Sequence, residues 1–171
     1  LRIHALPEGG TCAEILLPQA EESVSHGDET NTRVLIVDDE LEMASTLCEA
    51  LADHGFDAVA AQSGRVALAL LSEQSFAALV TDLRMPEMDG LALMAQAHRL
   101  MPERPTLIMT AHGAIDSAIE SIRQGAYHYL TKPFPVDELV VFLRRAIADS
   151  QVRREAAALR TRCVNDSEGT R

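Results

Sequence analysis

Leu79-Val80-Thr81-Asp82-Leu83-Arg84-Met85-Pro86-Glu87-Met88-Asp89-Gly90 is the stretch around which the chain resolves. Its first residues read as a short apolar strand that delivers the Asp82 carboxylate to its C-terminal end. A turn-rich loop follows, with Pro86 and an Asp-Gly step, before helical spacing resumes. In an open α/β sheet, ligands gather just beyond the carboxyl ends of the strands. A lone acid in that place is more often a loop cap than a reactive group, so the other strands decide.

Order begins at Arg33. Val34-Leu35-Ile36-Val37 is a continuous, mostly β-branched run, as expected of a strand buried on both faces of a parallel sheet. It ends in Asp38-Asp39-Glu40. Leu41, Ala44, Leu47 and Leu51 then fall on one helical stripe, closed by His54-Gly55. Ala58–Ala60 is a short second strand, and Ser63 caps a helix whose Val66, Ala67, Leu70 and Leu71 are expected to face inward. The third strand, Ala77–Thr81, leads to Asp82. Asp89 reads as the next N-cap, with Leu91, Met94 and Ala95 on the buried side and an end before Pro102. Thr106–Met109 is a fourth strand, stopping at Thr110-Ala111. A helix over 114–124 follows, with Ile115, Ile119 and Ile122 at helical spacing. Tyr127–Leu130 is the fifth strand, before Thr131-Lys132-Pro133. The last helix opens near Pro135, with Asp137 and Glu138 at the positive end of its dipole and Leu139, Leu143 and Ile147 inward. Five strand–helix units in strict alternation imply an α/β fold, a doubly wound five-stranded parallel sheet with right-handed crossovers.

The flanks differ in character. Residues 1–18 alternate around Pro7-Glu8-Gly9-Gly10, a hairpin signal. Residues 19–32 are polar and acidic and read as a linker, and residues 151–171 as a helical extension ending in a frayed tail. The ordered unit is expected over 33–150. The chain opens on Leu1 without a signal-peptide pattern and reads as a piece of a longer polypeptide.

Composition narrows the function. Of 171 residues, 26 are acidic and 15 basic, a formal charge of −11, which argues against nucleic acid as a partner of this piece. Hydrophobic residues make up 47% but aromatics only 4%, pointing to an aliphatic core. Apolar runs are strand-length, so no membrane span is expected. The three cysteines, Cys12, Cys48 and Cys163, are scattered without a CxxC pair, which fits a reducing cytoplasm better than a disulfide framework or zinc site.

The strand ends carry a set. Strand one gives Asp38 and Asp39, strand three Asp82, strand four Thr110, and strand five Lys132. Parallel strands share one direction, so all five groups project from the same sheet edge. Clustered acids repel one another, and a hard divalent cation such as Mg²⁺ resolves the conflict through one or two carboxylates, waters and phosphate oxygens. An ionised Asp can attack phosphorus to form an acyl phosphate, while a cation and a lysine neutralise the equatorial oxygens.

With those residues in place, 33–150 resembles the receiver domain of two-component response regulators, which has a (βα)5 flavodoxin-like fold. The matching motifs are Val37-Asp38-Asp39-Glu40, Thr81 to Gly90, Met109-Thr110-Ala111 and Tyr129-Leu130-Thr131-Lys132-Pro133-Phe134. The resemblance implies Asp82 as phosphoacceptor from a histidine kinase and Mg²⁺ held by Asp38, Asp39, Asp82 and the Arg84 carbonyl. It also implies Thr110 as switch hydroxyl, Tyr129 as switch aromatic, Lys132 as phosphate partner, and a cis Lys132-Pro133 bond. Asp82 to Gly90, and Met109 to Ala126, resemble the nitrogen-regulation type. Residues 7–18 resemble the closing hairpin of histidine-kinase ATP-binding domains, which leaves open a hybrid-kinase parent.

The resemblance further implies a switch. Thr110 would move toward the phosphoryl group, Tyr129 would swing into the vacated space, and the face of the fourth helix, fifth strand and fifth helix would engage an output domain, a partner protein or a second copy. Arg84 and His112 would border the entry of hydrolytic water. Two other readings stay in view. A Mg²⁺-dependent phosphohydrolase would use similar groups, but typically places a second Asp two residues after the nucleophile, where this chain has Arg84. A phosphorylation-independent interaction module would not need the full acidic set. A receiver promotes its own phosphorylation and dephosphorylation without being a turnover enzyme.

Overall fold

A computed structural model describes residues 3–5, 11–13, 32–111, 123 and 125–167. The first two strands, β1 (Ile3–Ala5) and β2 (Thr11–Ala13), pair antiparallel with Ile3 opposite Ala13. The rest of the described chain runs β3 (Arg33–Val37), α1 (Leu41–Asp53), β4 (Asp57–Ala61), α2 (Gly64–Glu73), β5 (Ala78–Asp82), α3 (Gly90–Leu100), β6 (Thr106–Ala111), β7 (His128–Lys132) and α4 (Val136–Ser167). The helix expected over 114–124, with Ile115, Ile119 and Ile122, lies outside the described residues except for Arg123, as does His112.

β3 to β7 form one parallel five-stranded sheet in the order β4-β3-β5-β6-β7. Alternate residues of each inner strand enter opposite cores. Val34, Ile36, Ala78, Val80, Leu107 and Met109 pack with Leu47, Leu51, Leu139 and Leu143 of α1 and α4. Leu35, Val37 and Leu79 pack with Ala67, Leu71, Leu93 and Ala97 of α2 and α3. Burial on both faces is why β3 and β5 read as unbroken apolar runs. The edge strands β4 and β7 are only half-buried along most of their length.

Helix phase departs from the sequence reading in three places, and in two the cause is a glycine. The buried face of α2 starts at Gly64 and continues through Ala67 and Leu71, so Val66 faces solvent. In α3 the buried face is Gly90, Leu93, Met94 and Ala97, while Leu91 is half-buried and Ala95 exposed. A glycine that begins a buried stripe adds nothing to a hydrophobic pattern, so the expected phase slipped. In α1 the stripe is Ala44, Leu47 and Leu51, and Leu41, in the first turn beside the Asp38-Asp39 loop, is exposed.

The expected stops and caps are present. Ser63 accepts from the Val66 amide at 3.3 Å and Asp89 from the Ala92 amide at 2.7 Å. Gly55 takes a φ of +84° just past α1, where a side chain would be strained. Leu139, Leu143 and Ile147 are buried. α4 continues unbroken across residue 150. No described helix is long and apolar enough to cross a membrane.

Candidate functional site

Strand register builds the site. Val37 pairs with Thr81, so the residues that follow them, Asp38 and Asp82, emerge side by side. After β3 the chain goes to β4 on one flank and then returns to β5 on the other. The gap between β3 and β5 is therefore the point where strand order reverses, the usual crevice for ligands in a doubly wound sheet. One strand further, Asp82 pairs with Met109 and brings Thr110 next. Ala111 then pairs with Lys132 on β7.

Asp38 and Asp82 are held alike. Asp38 Oδ1 accepts the Glu40 amide at 3.0 Å, and Asp82 Oδ1 accepts the Arg84 amide at 2.9 Å. Each carboxylate thus spends one oxygen on its own loop, two residues on, in an Asx-type turn. The second oxygens meet at Lys132, whose Nζ donates to Asp38 Oδ2 at 2.6 Å and to Asp82 Oδ2 at 2.5 Å. Asp38 is nearly sealed, with 2% of its side chain exposed, against 15% for Asp82 and 20% for Lys132. Burial alone would lower the Lys132 pKa, but its bonds to both carboxylates outweigh burial and raise it above the ordinary lysine value. The ammonium is fixed in its charged form.

Asp39 joins from the exposed side. One carboxylate oxygen each from Asp38, Asp39 and Asp82 lie within 4.8 Å of one another. Three carboxylates and one ammonium leave a formal local charge of −2. Thr110 is buried beside them, and its hydroxyl donates to the Ala111 carbonyl at a long 3.5 Å rather than to Asp82. Tyr129 lies on β7, two strands from Asp82. It is half-buried against Leu83, Met94, Ile108 and Ala126, with its ring stacked on His128 at 5.6 Å. The Lys132-Pro133 bond is cis. An apolar cleft of about 290 Å³, lined by Met43, Leu47, Ala111, Lys132, Pro133 and Phe134, opens beside Lys132.

The loop after Asp82 holds features that the sequence reading passed over. Gly90 lies so close to β5 that a Cβ there would run into the Asp82 carbonyl oxygen, and its amide donates to Leu83 O at 2.9 Å. The Asp89-Gly90 pattern predicts a turn and cap, and the glycine is also required by close approach to the strand end. Glu87 adopts φ +64°, the left-handed region that non-glycine residues rarely enter. Its Pro-Glu-Met context gives no local signal for that.

The sequence pattern described as response regulator receiver domain matches residues 34–144. The chain belongs to that family. An NtrX-like response regulator of Rickettsia bellii is 36% identical over 137 residues, 79% of this chain and 29% of that protein. The DNA-binding transcriptional regulator NtrC of Salmonella typhimurium is 40% identical over 122 residues, 71% of this chain and 26% of that protein. Among solved structures, NtrX from Brucella abortus in complex with ATP superposes with a TM-score of 0.71 at 32% identity, covering 74% of this chain and 29% of that one. A receiver domain protein from Clostridium thermocellum gives 0.67 at 27% identity, covering 70% and 97%. The chain spans little more than a quarter of the curated relatives it matches. A receiver is the phosphoacceptor module of two-component signalling.

Proposed function

We propose that Asp82 accepts a phosphoryl group from a phosphohistidine of a histidine kinase and that Asp38, Asp39, Lys132 and Thr110 serve this transfer. The observation that carries the reading is the convergence of Asp38 and Asp82 on Lys132, with Asp39 alongside. One carboxylate oxygen of Asp82 attacks phosphorus as the P–N bond breaks. The electron pair returns to the imidazole nitrogen, which takes up a proton. In the resting arrangement Lys132 holds the attacking oxygen toward the crevice. After transfer, the same ammonium lies within reach of a phosphoryl oxygen. Thr110, whose present hydrogen bond is long, is free to turn and donate to another.

The donor set fits a magnesium ion. Oxygens around Mg²⁺ at about 2.1 Å lie about 3–4 Å apart, so the 4.8 Å cluster of Asp38, Asp39 and Asp82 needs only a side-chain adjustment. The formal charge of −2 matches a divalent cation. Asp39 and Asp82 would hold it directly, Asp38 largely through water, and the Arg84 carbonyl would complete the protein's share. Bound there, it would supply charge neutralisation for the oxygens of the transferred group.

Tyr129, on the strand next to Thr110, would pass the change to the face formed by β7 and α4. An output domain or partner protein would read that face. The parent protein's output, including any DNA binding of the kind named for the NtrC relatives, belongs to chain beyond this domain. A phosphohydrolase reading gains no support, because Arg84 stands two residues after Asp82, where a second acid would be needed.

The test uses phosphoramidate as donor and phosphate incorporation as readout. The expected result is at most one phosphoryl group per chain, dependent on Mg²⁺, abolished by EDTA and absent from Asp82→Asn. Continuous release of phosphate from a phosphoester, or labelling of Asp82→Asn at the wild-type level, would refute it.

A further inference from the structure

The edge of the sheet opposite the acidic crevice carries a cleft of about 550 Å³. Its walls come from three places that the fold brings together: the end of α3 with the turn before β6, the turn before β7, and α4 around residue 150. Those walls are tied to one another. The buried Ser150 hydroxyl donates to the Glu103 carbonyl, and the Tyr127 hydroxyl donates to Asp149 at 2.5 Å. The Tyr127 amide donates to the Thr106 carbonyl at 2.8 Å. The cleft is therefore preformed, as small-molecule sites usually are.

Its lining has two characters. Pro105 and Ala126 are buried and, with the half-buried Tyr127, make an apolar floor. Around that floor stand His98 at the end of α3, Arg104 ahead of β6, and Arg153 on α4. Among the described lining residues Glu103 is the one acid, so the two arginines outnumber it even with His98 neutral. The whole chain carries a formal charge of −11, and the crevice at the other edge a local −2. Cations are thus gathered here on a strongly acidic chain.

Arg153 spends its Nε on the Asp149 carbonyl at 3.3 Å, and its two terminal nitrogens have no ion-pair partner among the described residues. Burial and the bond to Asp149 raise the Tyr127 pKa, while Arg145 and Arg153 oppose them, so the field of both guanidiniums reaches the cleft wall.

A guanidinium presents a planar fork of donors that matches a phosphoryl or carboxylate group. Two arginines on different walls suit the higher charge of a phosphoryl group. Inorganic phosphate alone would leave the floor uncovered and most of the volume unfilled. Ligand sites span about 300–1,000 Å³ and pair apolar walls with a few placed polar groups, and this cleft has both.

We propose that the cleft binds a nucleotide-sized organic phosphate, its phosphoryl oxygens held by Arg104 and Arg153 and its ring laid on Pro105, Ala126 and Tyr127. The site lies at the far edge of the sheet from Asp82, and the proposal stands whether or not Asp82 is the phosphoacceptor.

The test is an NMR titration of the isotope-labelled 171-residue chain with ADP in EDTA, where the acidic crevice repels anions. One ADP per chain is expected, with a Kd of about 10–500 µM and amide shifts centred on residues 103–105, 125–127 and 149–153. Adenosine and inorganic phosphate should each bind at least about tenfold more weakly, since each meets only part of the lining. Arg104→Gln and Arg153→Gln should each weaken ADP about fivefold or more, and Arg65→Gln, outside the cleft, should leave it unchanged. Circular dichroism confirms folding, and the exposed Arg153 keeps the test decisive should Arg104→Gln unfold the chain. No saturable shift up to about 5 mM ADP, shifts confined to Asp38, Asp39 and Asp82, or affinity indifferent to Arg153→Gln would overturn the proposal. Inorganic phosphate binding as tightly as ADP would overturn the role of the floor. A DNA duplex that binds through the same residues more tightly than ADP would overturn the small-ligand assignment.

Discussion

Lys132→Met removes the one cation shared by Asp38 and Asp82 while keeping a side chain of similar length. In the wild type, Nζ lies 2.6 Å from one carboxylate and 2.5 Å from the other. Breaking a buried pair by deleting one partner costs about 3–5 kcal/mol. Asp82 retains some contact with water, so about 2–4 kcal/mol is expected without divalent cation. For a chain of this size each kcal/mol moves Tm by about 2–4 °C, which predicts a fall of about 5–15 °C in EDTA. The second half of the prediction follows from charge. Deleting the ammonium changes the formal local charge from −2 to −3. The variant should therefore bind Mg²⁺ more tightly, and saturating Mg²⁺ should raise its Tm by more than it raises that of the wild type. Thermal unfolding followed by circular dichroism, in EDTA and across a Mg²⁺ titration, reads both. A variant as stable as wild type in EDTA, or one whose Mg²⁺ response is the smaller, would refute the assignment of Lys132 as the balancing charge.

Gly90→Ala should destabilise the domain by about 1–3 kcal/mol, because the added methyl meets the Asp82 backbone rather than a movable side chain; urea unfolding would show it, and a neutral result would mean the loop relaxes freely. Burial holds the His128 pKa below its ordinary value, with Glu138 opposing and Arg145 assisting. The folded state thus favours the neutral ring, so this contribution is intact above about pH 6.5 and lost as pH falls through the folded pKa; an imidazole NMR titration at or above 6.5 would contradict it. Burial pushes the Cys48 thiol up to about 11, which predicts slow alkylation by iodoacetamide at pH 7.5 in the folded chain and rapid alkylation in denaturant.

Much of the fold was legible because the chemistry of this architecture is local. Val34 to Val37 could be read as a two-sided strand because both its faces are in fact buried. Asp38, Asp82 and Lys132 could be grouped because parallel strands present their ends together, and no long-range knowledge was needed. What the sequence hid was set by contacts between elements. The phases of α2 and α3 turn on Gly64 against Met88 and Gly90 against Asp82, contacts no hydrophobic pattern encodes. The division of labour within each carboxylate was hidden as well. That one oxygen serves the loop amide while the other meets Lys132 depends on backbone angles after each strand. Thr110 could be placed at its strand end but not given a partner, because a hydroxyl can turn to several acceptors.

The central claim is that Asp82, and no other residue, carries the phosphoryl group. After reaction with phosphoramidate and Mg²⁺, borohydride reduction converts an aspartyl phosphate to homoserine at the modified position. Peptide mass mapping is then predicted to place homoserine at residue 82, with none in Asp82→Asn. Homoserine at Asp38 or Asp39, or a stable phosphate on a serine, threonine or histidine with residue 82 unchanged, would contradict it.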